Sequence, residues 1–339
     1  MRRGSVLSLV AIGIVAGAIA TAVAVFLPWL PTPASREAGR IDFVIWFVIG
    51  ISIFVFAVVI AALLYSIVRF RAAPDDESDG PPIHGHTKLE IVWTLIPTLL
   101  VTAIGVVSAV VLAQNDALGK DVLRVNVTAQ QFAWSFSYPD SGNLTSATLR
   151  LPKGRSVLLT LHTKDVIHSF WVPEFGQKQD TVPGLTTTVH ITPDRLGTFP
   201  VICTELCGLG HALMRSTAVV MQPAAFQKWI AGQTKATNSP NPATAGQAVF
   251  TNNGCANCHT LKAAGATGKV GPDLDKLVQE AKQAGQPLAA FVKQSITDPS
   301  AYVAPGYPDH IMPSTFGSAL SSQQLDALVS YLVSSSKKG

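Results

Sequence analysis

The chain has no cysteine to spare. Its four cysteines, in 339 residues, fall into two close pairs, Cys203 with Cys207 and Cys255 with Cys258. Each pair sits in a motif with its own use for sulfur, so no disulfide framework is expected. Charge of one sign is equally scarce: a formal balance of +4 with no basic cluster gives no footing for nucleic acid. No histidine cluster lies on the long apolar runs, which excludes a His-held cofactor inside a bilayer. Apolar length takes the place of charge. A mean hydropathy of +0.33 is too high for a wholly soluble chain, and 339 residues leave room for two soluble domains beside a membrane part.

Residues 1–30 open with Met-Arg-Arg and then run without a charge from Gly4 to Leu30. The Arg pair ahead of an apolar run suits a secretory signal; the length of the run suits a first membrane helix. The balance falls on cleavage between Ala20 and Ala34. Residues 35–115 form a two-helix hairpin. Ile41 to Val68 carries one charge, Asp42, at its start, and Ile91 to Leu112 carries none; each exceeds the ~20 residues needed to cross a hydrocarbon core. Arg69, Arg71 and Lys88 put the loop between them in the cytoplasm, and the acidic run Asp75-Asp76-Glu77 weighs little in that rule. Arg2 and Arg3 then start inside, and everything beyond about residue 115 lies outside. His84 and His86 read as solvated loop residues. Glu90 stands at the cytoplasmic edge of the second helix, where a carboxylate among headgroups, with Trp93 as interface anchor, costs little.

From Cys203 to Met214 the chain reads Cys-Thr-Glu-Leu-Cys-Gly-Leu-Gly-His-Ala-Leu-Met. Thiolate, imidazole and thioether together select copper, zinc or iron–sulfur chemistry over hard cations. Cys207, His211 and Met214 with one distant His make the ligand set of an electron-transfer copper site; the additional thiolate of Cys203 allows two copper ions to be bridged. That needs a second His, and His168, in a strand-like run just before a Pro turn, is the candidate. The competing reading is a Cys₂His zinc site or a pair of structural cysteines. Downstream, Cys255-Ala-Asn-Cys258-His259 is the attachment signature of c-type haem, with two thioether bonds and His259 on iron. Met312, before Pro313, is the expected sixth ligand, with His310 as competitor. Haem attachment of this kind belongs to an extracytoplasmic face.

Residues 120–222 alternate with period two in short strands (Val122, Arg124 to Val127, Val157 to Leu161, Thr188 to Ile191) between Pro and Gly turns, which predicts an antiparallel sandwich. His162, His190 and Met221 read as structural. Residues 223–243 predict a short amphipathic helix, Ala224 to Ala231, and then a polar linker. Residues 244–336 form an all-α domain: a helix beginning over Ala245 to Phe250, a turn at Gly271-Pro272, a helix over Leu288 to Ile296, and a last helix capped by Ser321 and Ser322 with Leu325, Leu328, Val329 and Leu332 on one face.

The pattern Cys-x-Glu-x-Cys-Gly-x-x-His-x-x-Met, preceded by Asp-Val-x-His-Ser-Phe, resembles the dinuclear copper site of cytochrome c oxidase subunit II. The resemblance implies a cupredoxin-like fold in which Cys203 and Cys207 bridge two coppers and His168, His211 and Met214 complete them. It also implies that Glu205 offers its backbone carbonyl to copper and turns its side chain to a magnesium ion at the border with subunit I. Glu90 matches a Glu that, in the family, stands at the mouth of a proton path. A Gln-Trp-x-Trp run there lies beside the copper site, and its first Trp receives electrons from cytochrome c; here Phe132 takes that place and Trp134 matches the second. Packing of aromatics is the plainer reading of both. Residues 244–336 resemble a class I cytochrome c, so the whole is similar to subunit II of a caa-type oxidase, with a donor built into the chain. Asp165 and Asp180 are candidates for orienting His168 or lining a polar exit route. The implied partners are subunit I, subunit III, an external donor such as cytochrome c, and a bacterial cell membrane crossed more than once. The implied activity is proton-pumping oxidation of cytochrome c, with oxygen reduced in subunit I. Two rivals share parts of this pattern: a copper-containing nitric oxide reductase, and a copper-binding module with no catalytic role.

Overall fold

The computed structural model describes residues 3–71, 82 and 85–336; Arg2, Asp75 to Glu77 and His84 lie outside them. The chain divides into two units, one of Met1–Thr32 with Gly39–Asp116 and one of Pro33–Ala38 with Ala117–Gly339. The first contains α1 (Arg3–Phe26), most of α2 (Arg36–Arg69) and α3 (Thr87–Asp116). Each is long and apolar enough to cross a membrane. Backbone bonds closed within a helix are what a bilayer requires, since it offers no partner to a free N–H or C=O. Gly13 and Gly17 of α1 face Ala57 and Ala61 of α2, where a Cβ on either glycine would sit 3.6 Å from an alanine Cβ. At the far end, Arg40 of α2 donates to Gln114 O and to Asn115 Oδ1 of α3, both at 3.2 Å.

The second unit holds a sandwich of two five-stranded sheets. One runs in the order β3 (Leu144–Ser146), β2 (Ala133–Tyr138), β1 (Val122–Gln130), β5 (Ser156–Thr163), β8 (Thr187–Ile191). The other runs β4 (Leu149–Pro152), β10 (Arg215–Met221), β9 (Gly197–Cys203), β6 (His168–Trp171), β7 (Lys178–Thr181). Alternation does its work here: Leu123, Val125, Val127 and Ala129 of β1, Trp134, Phe136 and Tyr138 of β2, and Val157, Leu159 and Leu161 of β5 point inward and are buried. The sandwich is not purely antiparallel. β1 pairs with β5, and β4 with β10, in parallel, because each sheet takes in strands from separate hairpins. Neither His162 nor His190 joins a ligand cluster among the described residues. Met221 packs half-buried against the core.

The segment ahead of α2 is stitched into this sandwich. Ala34 N donates to Glu174 O, Arg36 N donates to Thr192 O, and the buried Glu37 carboxylate accepts from Thr192 N at 2.7 Å.

Residues 223–237 form one helix, α4 (Pro223–Thr237), longer than the predicted Ala224 to Ala231. Pro223 sits in its first turn, where a missing N–H costs nothing. Phe226, Trp229 and Ile230, spaced three and four apart, pack on the sandwich core, and Arg150 lies 5.0 Å over the Trp229 ring. The helix runs on past these residues through Gly232 and Thr234, whose helix propensity is poor. Only Asn238 to Asn241 separate α4 from α5 (Pro242–Asn252).

The all-α domain then follows with α6 (Cys255–Cys258), α7 (Leu277–Gln283), α8 (Leu288–Thr297), α9 (Phe316–Ala319) and α10 (Ser322–Ser336). A reciprocal pair opens α10: Gln324 N donates to Ser321 Oγ at 3.2 Å and Ser321 N to Gln324 Oε1 at 3.0 Å. First and last helices meet at Gly246 of α5, where any Cβ would overlap Ala327 O and Tyr331 Cβ of α10. Gly246→Ala is therefore expected to destabilise the all-α domain by about 1–3 kcal/mol through overpacking, read as a lower thermal unfolding midpoint of that domain with the sandwich unaffected.

Candidate functional site

Three loops and strand ends bring the soft ligands together. Cys203 ends β9, His168 begins β6, and the loop Thr204 to Met214 folds back so that Cys203 N donates to Met214 O. Cys203 Sγ lies 3.9 Å from Cys207 Sγ and 3.9 Å from His168 Nδ1. Cys207 Sγ lies 3.5 Å from His211 Nδ1 and 3.8 Å from Met214 Sδ. The Cys203 thiol donates to Glu205 O at 3.3 Å, so that carbonyl faces the cluster while the Glu205 side chain is exposed. Cys203, Cys207, His168 and Met214 are buried. Two sulfurs with an imidazole on either side, a thioether and one carbonyl form a donor set that fits a pair of soft metal ions. All six expected copper residues converge.

The two thiols of the cluster are too close to ionise together. Burial opposes ionisation of Cys203, but hydrogen bonds from His168 and from the backbone bring it down to about 7. Burial and the neighbouring Cys203 thiolate push Cys207 up to about 12. His168 is held the other way. Its Nε2 meets Asp165 Oδ1 at 2.8 Å, and this partner with Cys203 outweighs burial and raises its pKa. Asp165 resists burial by accepting from Gln131 N and Val166 N, each at 2.7 Å, as well as from His168, and its carboxyl stays below the usual range. With Nε2 engaged, Nδ1 is the nitrogen turned to the sulfurs. Asp180 instead accepts from Ser169 Oγ at 2.6 Å, one residue beyond the ligand.

Phe132 and Trp134 both lie against the cluster. The Trp134 ring is buried edge-on to His168, with centroids 6.2 Å apart. Phe132 covers the copper loop so closely that a Cβ on Gly210 would come within 2.5 Å of its ring, and one on Gly208 within 3.2 Å. Gly210 is thus required by the aromatic ring above it, while Gly208 is confined first by Gln131 Nε2, 2.8 Å from such a Cβ, and by its φ of +128°. Sequence reasoning passed over Gln131, whose Nε2 donates to Cys207 O at 2.5 Å. Its signal was its match to the Gln that opens the Gln-Trp-x-Trp run.

The second site is an apolar cavity in the all-α domain. Cys255, Cys258, His259 and Met312 all line it, along with Phe250 and Phe291. His259 Nδ1 donates to Pro272 O at 2.8 Å, leaving Nε2 free as an iron ligand. Gly271 is packed under that ring, since a Cβ there would sit 2.5 Å from His259 Cε1. His310 lies at the rim with 84% of its side chain exposed, held by Asp309, which leaves Met312 as the better placed of the two. Two thiols, one oriented imidazole, one thioether and apolar walls fit a covalent haem. Ala133 of the sandwich lines the same cavity.

Glu90 is not part of either cluster. It occupies the first turn of α3, where its Oε1 accepts from His86 N at 3.1 Å while His86 Nδ1 accepts from Leu89 N. This is a reciprocal helix cap, a structural duty that position alone explains.

Residues 21–111 match the family model for the transmembrane domain of cytochrome c oxidase subunit II, and residues 144–222 match the one for its periplasmic domain. Residues 243–336 match the cytochrome c model. The chain is 32% identical over 290 residues to cytochrome c oxidase subunit 2 of Alkalihalophilus pseudofirmus, covering 81% of each chain. It is 34% identical over 292 residues to the same subunit of Bacillus subtilis, covering 79% of this chain and 80% of that one. Among solved structures, the periplasmic domain of subunit II of cytochrome oxidase from Bradyrhizobium japonicum is 27% identical, covering 35% of this chain and 98% of that one, with a TM-score of 0.34.

The two thiol values set the pH dependence of copper uptake. With Cys203 lowered to about 7 and Cys207 raised to about 12, uptake at about pH 9 should release about one proton, from Cys207. The number should rise, and the affinity fall, as pH drops through 7 and Cys203 keeps its proton. Calorimetric titration in buffers of different ionisation enthalpy reads this directly; proton release that is flat from acid to alkaline pH would contradict it.

Proposed function

Because the chain belongs to the cytochrome c oxidase subunit II family and ends in a cytochrome c domain, we propose that it is the electron-receiving subunit of a caa-type, proton-pumping haem-copper oxidase. Cys255, Cys258, His259 and Met312 would hold haem c, and Cys203, Cys207, His168, His211, Met214 and the Glu205 carbonyl would hold a copper pair; each group would supply one-electron exchange. The protein accepts electrons from cytochrome c or another external donor at the C-terminal domain, moves them to the copper loop, and delivers them to subunit I. Oxygen is reduced there, with subunit III alongside.

The observation that carries this reading is the shared lining: Ala133 of the copper domain lines the cavity that contains the haem motif. Met/His ligation raises the haem potential, which suits a donor to a terminal oxidase. Burial of both sulfurs excludes water, and a rigid strand end on either side limits rearrangement of His168 and Cys203 when charge arrives. The copper and haem domains lie on the extracytoplasmic side of a bacterial cell membrane, as the Arg69 and Arg71 charges after α2 direct. At the border with subunit I, the exposed Glu205 carboxylate serves a magnesium ion, and Glu90 stands at the mouth of a proton path, where its capping role fixes its position.

Stopped-flow reduction of the loaded chain tests the reading: haem c should reduce first and the copper pair follow at a rate independent of protein concentration. Cys203→Ser or Cys207→Ser should abolish the near-infrared mixed-valence copper band and this second phase, leaving the haem spectrum intact. A band that survives either change would refute the dinuclear assignment. Met312→Ala should lower the haem potential and remove the red-region sulfur-to-iron band; an unchanged spectrum would move the sixth ligand to another residue.

A further inference from the structure

Between β1 and β2 the chain turns through Gln130, Gln131, Phe132 and Ala133; the last three touch one of the two sites, and Gln130 touches the segment that follows Met312. Gln130 Oε1 accepts from Thr315 Oγ1, three residues beyond Met312. Ala133 lines the haem cavity, and Phe132 lies on Gly208 and Gly210 of the copper loop. Gln131 sits between them with two polar ties: its Nε2 donates to Cys207 O at 2.5 Å, and its backbone N donates to Asp165 Oδ2 at 2.7 Å. The other oxygen of Asp165 holds His168 Nε2 at 2.8 Å.

Building on the proposed function, we propose that Gln131 is a positioning residue for internal electron transfer, which locks the haem-facing turn to a bridging cysteine on one side and to a histidine ligand on the other. A turn free to shift would change the separation of the two sites, and transfer falls steeply with separation. Gln131 prevents this through groups that are not themselves ligands. The tie to Cys207 runs to its carbonyl and leaves the sulfur for metal. The tie to Asp165 runs from the backbone and survives any side-chain change. The haem side of the turn is fixed separately, by Thr315 on Gln130 and by the close approach of Gly254, next to Cys255, to Ala147. A Cβ on Gly254 would lie 2.8 Å from Ala147 Cβ, so the two domains meet there without room for a side chain.

Gln131→Leu keeps the bulk and removes the amide, and Gln131→Glu replaces the donor with a group that repels Cys207 O. In the cofactor-loaded full chain, both should slow haem-to-copper transfer after photochemical reduction by about tenfold or more. The near-infrared copper band and the midpoint potentials of both centres should be retained, and amide exchange across residues 130–133 should accelerate. Unchanged transfer in both variants would overturn the proposal. Should either variant fail to hold copper, Gln131→Asn decides, since it keeps the amide but shortens its reach to Cys207 O: slower transfer with faster exchange in the turn supports the assignment, and unchanged transfer refutes it. No internal transfer in the unsubstituted chain would overturn the functional reading itself, a result distinct from equal rates in parent and variant.

Discussion

One carboxylate holds the copper end of the sandwich together. Asp165 follows β5, precedes β6, and accepts from the N–H of Gln131 at the end of β1, from Val166 N, from Thr163 Oγ1 and from His168 Nε2. Hydrogen bonds to an anion are roughly twice as strong as neutral ones, and four of them on one side chain fix three chain segments at once. They also fix the ring of His168, and so decide which nitrogen faces the sulfurs. Because these bonds hold the folded carboxyl below its ordinary range, the stabilisation is in force at neutral pH and is lost as pH falls through the folded value. The cluster of buried thiols therefore depends on a group that is itself no ligand.

Around that anchor, close packing replaces flexibility. Phe132 presses on two glycines of the copper loop, and Gly271 leaves space for the proximal imidazole. Trp134 stands edge-on to Phe170, with centroids 5.5 Å apart, and fills the floor beneath His168. Tyr138, Phe226 and Trp229 join α4 to the sandwich. Interiors packed at crystal density transmit position, so ligands at the ends of β6 and β9 inherit the rigidity of both sheets.

The parts that were legible in the sequence are those whose chemistry is unusual. Two cysteines four apart with His211 and Met214 have few uses, and Cys255-x-x-Cys258-His259 has essentially one. The membrane segments and the alternating strands also followed from simple periodicity. What remained hidden was non-local. Parallel pairing of β1 with β5 has the same inward-outward alternation as antiparallel pairing, so the sequence pattern could not distinguish them. α4 runs on to Thr237 through Gly232, Gln233, Thr234 and Lys235, a polar stretch whose composition reads as a linker. Gln131 is an ordinary amide whose partner, Cys207, is 76 residues away. For Glu90, place alone suggested a boundary carboxylate and only the resemblance suggested a proton path; its contacts are those of a helix cap.

Asn238 to Asn241, the whole connection between α4 and α5, can span at most about 14 Å. A cytochrome on so short a leash experiences an effective concentration of about millimolar or above at the neighbouring surface. Any freely diffusing rival for that surface would have to match this figure, and high ionic strength, which strips electrostatically docked carriers from their acceptors, has little hold on a partner joined by peptide bonds. The step from haem domain to copper domain, though not the supply of electrons to the haem, is thereby insulated from rival carriers and from the salt around the cell.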